Sequence, residues 1–377
     1  MSLFLTTFFL VYGGMHLYAF RKAEAACRFS LPLRIGLVLF MVLMIATPLL
    51  VRAVENAGFE RSARLLAISG YSWLGLLFLF VSVAVPIDLW RALILLANRL
   101  TGMGHSFPPP PRLQFFLPLA AAAAIFVYGS YEARHIRAEH VEIITTKLPQ
   151  NVARFRIVQI SDVHLGLIVR KDRLKRILAV VRGAEPDLLV STGDLVDGQI
   201  NGLAGLAEML TAVKAPYGKF AVTGNHEFYA GLGQSLSFTR RAGFTLLRQN
   251  GTTIAGILNV AGVDDPAVLG HQQKINERQI LSSLPRDKFT LFLKHRPELE
   301  RGSQGLFDLQ LSGHIHQGQI FPFSLVIKLR YPAPTGLSRS PTGSLLYVSR
   351  GSGTWGPPIR FLAPPEVTII DLVHASS

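Results

Sequence analysis

Five short apolar runs in the second part of the chain end in side chains that bind cations or move protons. Phe155–Ile160 runs into Ser161, Asp162, Val163 and His164; Leu188–Thr192 into Gly193, Asp194, Leu195, Val196 and Asp197; Gly218–Thr223 into Gly224, Asn225, His226 and Glu227. Thr290–Leu293 leads to Lys294 and His295, and Leu309–Ser312 to Gly313, His314, Ile315 and His316. Open α/β sheets carry their ligand sites at strand C-terminal ends, so these residues are expected to converge. Two aspartates, an asparagine and four histidines buried together are costly without a counter-charge, which bound divalent cations supply. The single cysteine, Cys27, allows no internal disulfide and no cysteine-rich zinc site. Oxygen and nitrogen donors without thiolate suit manganese, iron or zinc better than copper(I).

The series Asp162-x-His164, Gly193-Asp194, Gly224-Asn225-His226-Glu227, His295 and Gly313-His314-x-His316 resembles the calcineurin-like metallophosphoesterases in order and approximate spacing, over residues 150–371. The resemblance implies a four-layer α/β/β/α sandwich that holds two divalent metal ions. Asp162, His164 and His316 match the ligands of one metal, Asn225, His295 and His314 those of the other, and Asp194 the bridge between them. It further implies hydrolysis of a phosphate ester by attack of a metal-bridging hydroxide. Two cations about 3.5 to 4 Å apart can share a carboxylate, bind phosphoryl oxygens and acidify a water between them. His226 matches the position that faces the substrate and protonates the leaving oxygen. Asp197 matches the carboxylate that orients that histidine; its alternative reading is a turn cap beside Gly198. Glycines before the ligands, at 193, 224 and 313, let the backbone turn tightly beside the metals.

Other polar residues fit these motifs less well. His105, His135, His140, His271 and His374 are expected at the surface or an interface, and Asp264, Asp265 and Glu227 in structural roles. The basic stretch Arg170–Arg182 reads as a solvated helix face. Arg296 and Arg350 are weighed as phosphate clamps against the same structural alternative.

The elements that must position the site follow from periodicity. From about residue 135 short β-branched runs alternate with amphipathic stretches, as in Phe155–Ile160, Leu174–Val181 and Leu188–Ser191, which is a βαβ pattern. Further strands are predicted at Gly218–Val222, Thr245–Leu247, Ile254–Val260, Thr290–Leu293, Leu345–Val348 and Val367–Ile370. Residues 135–377 therefore read as one sheet-rich α/β domain, which the resemblance implies is the metallophosphoesterase domain.

Residues 1–134 need a different solvent. A hydrophobic content of 49% and a mean hydropathy of +0.34 are too high for an average soluble enzyme. Stretches 2–20, 35–51, 65–87 and 113–131 contain no Asp, Glu, Lys or Arg. Each can cross a hydrocarbon core about 30 Å thick, so an all-α transmembrane domain of about four helices is expected. His16, near the end of the first, is read as interfacial. The start lacks the basic n-region and cleavage site of a secretion signal and should stay attached. Glu24 disfavours lipidation of Cys27. Arg21, Lys22, Arg28 and Arg34 after the first span, against none before it, lean towards an outside N-terminus and an extracytoplasmic catalytic domain in a bacterial-type inner membrane. Residues 107–111, Phe-Pro-Pro-Pro-Pro, read as a stiff connector.

The net charge of +14 is spread along both parts and points to anionic headgroups and topology rather than nucleic acid. A nuclease is disfavoured because residues 135–377 lack an aromatic-interleaved basic patch. Phe321–Tyr331 reads either as a strand pair or as an interfacial lip that admits an acyl chain. The partners expected are thus the lipid bilayer and a phosphate-ester substrate. A lipid-linked compound such as UDP-diacylglucosamine leads, a nucleotide or general phosphodiester follows, and a non-catalytic membrane receptor or scaffold is the rival from another class.

Overall fold

The computed structural model describes residues 2–102, 109–198, 203, 205–269 and 276–375, so His105, His271 and part of the Phe107–Pro111 connector lie outside the described residues. The chain divides into two compact units, Met1–Tyr131 with Gly356–Ile359, and Glu132–Trp355 with Arg360–Ser377.

The first unit is helical: α1 (Ser2–Cys27), α2 (Leu31–Asn56), α3 (Glu60–Thr101) and α4 (Pro111–Glu132). Each of the four charge-free stretches falls inside one of these helices. Among the described residues α2, α3 and α4 are long and apolar enough to cross a membrane. Their many exposed leucines and valines suit a lipid solvent, and Pro48, Pro86 and Pro118 are carried inside them, as spanning helices tolerate. Small and polar groups tie the helices together. A Cβ on Gly70 of α3 would lie 2.0 Å from Thr47 Cγ2 of α2, so only glycine permits that approach. Tyr18 and Lys22 of α1 donate to Asp88 of α3 at 2.7 and 2.8 Å. His16 is not interfacial: it is buried, its Nε2 accepts the Trp73 indole N–H at 2.9 Å, and its Nδ1 faces the Tyr12 carbonyl one turn back.

The second unit holds twelve strands in two sheets. They are β1 (Arg137–Thr145), β2 (Arg154–Ile160), β3 (Leu188–Ser191), β4 (Lys219–Ala221), β5 (Thr245–Leu246), β6 (Asn250–Ile254), β7 (Leu258–Gly262), β8 (Phe289–Leu293), β9 (Leu309–Ser312), β10 (Gly336–Arg339), β11 (Leu345–Val348) and β12 (Glu366–His374). The first sheet runs β1-β12-β2-β3-β4-β5 and the second β10-β11-β9-β8-β7-β6. The strands β2 to β5, and β7, β8, β9 and β11, are parallel within their sheets. Among the described residues seven α-helices and a short 3-10 turn (His316–Gly318) complete the unit: α5 (Lys171–Gly183), α6 (Leu206–Thr211), α7 (Asn225–Tyr229), α8 (Leu232–Arg241), α9 (Pro266–Leu269), α10 (Glu277–Ser282) and α11 (Phe323–Arg330).

Strand parity builds the layers. Phe155 and Ile157 of β2 and Ile370 and Leu372 of β12 face one way, onto Leu291, Leu293, Leu309 and Leu311 of the second sheet. Val158 and Ile160, with Val367 and Ile369, face the other way, onto Leu174, Ile177 and Val181 of α5 and Phe238 of α8. On the outer side of the second sheet Phe292 meets Leu281 of α10, and Leu346 and Val348 meet Ile327 of α11. The result is the four-layer α/β/β/α sandwich.

Three details correct the pattern reading. Ile254–Val260 is not one strand but a hairpin, because Ala255 and Gly256 take positive φ (49° and 70°) and turn the chain between β6 and β7. β1 and β10 lie at sheet edges, so their exposed polar alternation hid them. Phe321–Tyr331 contains no strand pair: residues Phe323–Arg330 form α11.

Candidate metal centre

β2, β3, β4, β8 and β9 all end towards one edge of the two sheets, and their following turns bring the predicted residues together. The backbone is unusual there: Asp162, His164, Asp194, His314 and His316 all adopt positive φ between 47° and 72°, a region non-glycine residues enter at a cost and chiefly at functional sites. Close approach is absolute at two glycines. A Cβ on Gly224 would fall 2.2 Å from Asp194 Oδ1, and one on Gly313 2.2 Å from Asp162 Oδ2.

Two sets of donor atoms meet in this cradle. His316 Nε2 lies 3.3 Å from Asp162 Oδ1 and 3.1 Å from His164 Nε2. Asp194 Oδ2 lies 3.1 Å from His295 Nε2 and 3.9 Å from His164 Nε2, and His314 Nδ1 lies 3.2 Å from His295 Nε2. Asp162–His164–His316 and Asp194–His295–His314 are each compact enough to hold an ion, and His226 comes equally close to His164 and Asp194. Asn225, at the start of α7, is buried, with its Oδ1 lacking any hydrogen-bond partner, and His164 Nδ1 is likewise unsatisfied. The orphaned Asn225 oxygen, with imidazole nitrogens facing carboxylate oxygens and one another, fits the donor set of divalent cations: all these residue types lend lone pairs, and none is a thiolate.

Electrostatics tell the same story. Burial, with charged His226 nearby, holds His164 down to about 3, and burial with His295 does the same to His314, so both are neutral rings with lone pairs to give. His295 behaves oppositely: burial disfavours its charge, but Asp194 and Asp162 raise it to about 10. Asp194 stays well below the usual carboxylate range, since His295 and His226 outweigh the cost of its burial. The carboxylates thus call for positive charge at His295, which a cation held by its Nε2 would supply in place of a proton.

His226 is held differently from the rest. Its Nδ1 sits 2.9 Å from Asp197 Oδ1 and its backbone N–H donates to Asp194 Oδ1 at 2.8 Å. Burial opposes its charge, but Asp194 and Asp197 raise it to about 9. A histidine bonded this way to a carboxylate has a fixed tautomer and a more basic ring. Glu227, next along α7, is structural: its carboxylate accepts the N–H groups of Gly224, Asp194 and Leu195 at 2.7 to 3.0 Å, locking the β3 and β4 turns to each other.

The two arginines weighed as clamps are committed elsewhere. Arg296 makes a two-pronged pair with Asp265 (2.7 and 3.0 Å), and Arg350 pairs with Glu366 at 2.6 Å and with Glu139. Asp264 binds Thr223 and Arg248. His135 and His140 are exposed and His374 half-buried.

Two residues around the centre escaped the sequence reading. The Tyr331 hydroxyl lies 3.0 Å from His314 Nε2. Arg360, fully buried, donates to the carbonyls of Arg350 and Gly353 and places Nη2 3.1 Å from His316 Nδ1. Neither belongs to a recurring motif, and their separations from the ligands, 17 and 44 residues, carry no periodic signal.

Two largely parallel mixed sheets lie back to back, with an Asp/His/Asn cradle at their shared edge that could hold metal ions. A family model described as calcineurin-like phosphoesterase matches residues 155–318. A metallophosphoesterase of Aquifex aeolicus (strain VF5) is 40% identical over 254 residues, which is 67% of this chain and 97% of that one. One from Helicobacter pylori (strain J99) is 34% identical over 70% of each chain. A Danio rerio protein named transmembrane protein with metallophosphoesterase domain is 31% identical over 70% of this chain and 63% of its own. The chain belongs to the calcineurin-like metallophosphoesterases.

Proposed function

We propose that this protein is a membrane-bound two-metal phosphoesterase that hydrolyses a phosphodiester or pyrophosphate bond in a lipid-linked substrate such as UDP-diacylglucosamine. The observation that supports the reaction class is the closeness of the two donor sets, Asp162–His164–His316 and Asp194–His295–His314, with Asp194 3.9 Å from His164, beside a histidine bonded to its own carboxylate. Asp162, His164 and His316 would hold one cation, Asn225, His295 and His314 the other, and Asp194 both. Two divalent cations in that cradle supply positive charge for the phosphoryl oxygens and lower the pKa of water to near neutrality. Asn225 contributes an uncharged oxygen, so the cradle stays cationic enough to attract phosphate. His226, with Nδ1 held by Asp197 and its charge favoured, delivers a proton from Nε2 to the departing oxygen. Manganese, iron or zinc suits the donors.

The lipid-linked substrate is supported by three apolar helices of spanning length and by the exposed apolar helix α11 following the His314 and His316 turn. The protein is then a multi-pass protein of a bacterial-type inner membrane, its catalytic unit extracytoplasmic by the charge bias of the first loop.

The test is turnover by the full-length, detergent-solubilised protein, stripped and reloaded with manganese, on a simple phosphodiester and on UDP-diacylglucosamine. Asp194→Ala should lose metal and all turnover. His226→Ala should keep its metal and lose about 10²- to 10⁴-fold in rate, the usual share of one proton donor. Equal metal loss in both variants would make His226 a ligand and sink its assignment as acid. Preference for the simple ester would transfer the reading to a general phosphodiesterase, and metal-independent inertness on both substrates would favour a receptor.

A further inference from the structure

We propose that α11 is an interfacial helix that seats in the headgroup layer of an anionic bilayer, presenting the metal centre to phosphates carried by lipids. This deepens the phosphoesterase reading and rests on it for its purpose, though the docking itself can be tested separately.

The sequence of α11, Phe-Ser-Leu-Val-Ile-Lys-Leu-Arg, buries none of its residues. Leu325 and Val326 are each 54% exposed and Leu329 88%, while only Ile327 reaches the core, against Ile315, Tyr331, Leu346 and Val348. Eight residues make too short a helix to persist in water on propensity alone, and an outward row of leucine and valine adds nothing to its stability there. Such a row on a short helix marks a surface that meets something apolar.

The helix itself says which apolar surface. Lys328 and Arg330 stand among the aliphatic residues, the composition of helices that lie in a membrane interface with cations at the phosphates. Arg330 pairs with Glu298 at 2.9 Å, but both groups are largely exposed, so a lipid phosphate can replace that partner at little cost. The chain also brings its own spanning helices, which makes a bilayer the apolar phase always within its reach.

α11 is fastened to the metal centre at both ends. Before it, Gly318 in the short 3-10 turn His316–Gly318 packs so closely on Ser324 that a Cβ would lie 2.4 Å from the Ser324 nitrogen. After it, Tyr331 closes the helix with its N–H on the Ile327 carbonyl and sets its hydroxyl on His314. A helix tied to both histidines of one ligand turn cannot enter the headgroup layer without bringing the centre to phosphate depth.

The experiment uses the full chain with Cys27→Ser and a single Leu329→Cys bearing a polarity-sensitive fluorophore, reconstituted in vesicles of phosphatidylglycerol and phosphatidylethanolamine. A second protein carries the label at Asp287, a 74% exposed side chain two residues before β8. Expected are a blue-shifted emission and about twofold or greater quenching by spin-labelled lipid at 329, neither at 287, with weaker quenching when Lys328 and Arg330 are both changed to Gln. Leu325→Cys serves as a second label position should Leu329→Cys fail to fold. A label at 329 as wet and as unquenched as that at 287 overturns the proposal. So does a label shielded from aqueous iodide but untouched by spin-labelled lipid, which would mean a protein covers α11. No turnover is measured, so loss of the docking leaves the phosphoesterase reading standing, and an inactive enzyme leaves the docking standing.

Discussion

Asp162, His164, Asp194, His314 and His316 share one oddity, the left-handed backbone, and each such residue costs about 1 to 3 kcal/mol. That cost is concentrated where the donors converge, so the turns are set by what they hold and by the glycines beside them. Gly224→Ala would drive a methyl into Asp194, and we expect it to empty the centre of metal, read by elemental analysis, while far-UV circular dichroism stays native. Tyr331→Phe is subtler. It removes the hydroxyl on His314 Nε2 and leaves the ring, so metal titration should show affinity falling about 10- to 100-fold at one of two sites, the range for lost outer partners of a ligand. The candidate ligand residues that the fold brings together were legible in the sequence because each follows an apolar run at a motif's spacing. Tyr331 and Arg360 were not, since a partner reached across the fold leaves no pattern in the chain.

At the scale of elements, apolar strands were legible, the edge strand β5 among them, and the polar edge strands β1 and β10 were not. β3 and β8 are nearly continuous apolar runs, since both their faces are covered. β1 reads Arg-Ala-Glu-His-Val-Glu and hides as a loop, although it pairs with β12 along nine residues. Its charges also keep an open sheet edge from recruiting another chain. The neighbouring β12–β2 pair carries a separate lesson. Arg156 on β2 grips Asp371 on β12 with Nε and Nη2 at 2.7 and 2.8 Å, and this hydrogen bonding holds the Asp371 carboxyl below its ordinary range. A carboxylate depressed in the folded state stabilises it above the unfolded pKa of about 4, and that contribution disappears as pH falls through the lower folded value. Asp371→Asn should therefore melt earlier than the parent at pH 7, with the difference closing below about pH 3; an equal gap at both pH values would count against the pair.

For the whole molecule, composition alone separated the apolar helical part from the catalytic part. Four charge-free stretches became four helices, though α3 is far longer than its stretch: 42 residues make about 63 Å of helix, against a hydrocarbon core of about 30 Å. The polar end of α3, from Asp88 onward, still carries exposed Leu89, Trp90, Leu93 and Leu96, which no charge count resolves into membrane or water. The side of the membrane is a proposal that rests on lysine and arginine bias alone. A reporter enzyme fused after His374 and active only outside the cell should be active; one active only in the cytoplasm would reverse the orientation. The sheet order carries a consequence in time. β12 lies between β1 and β2, so strands made first wait, unjoined, for one made some 200 residues later. While the ribosome works, β1 hangs from the last apolar helix with its partner not yet synthesised, and such late pairing is slow and exposed to misassembly. A chain halted before Glu366 should still enter the membrane but be degraded, its first sheet broken in two. Closure of the first sheet thus waits on β12, and quality control has one strand to inspect.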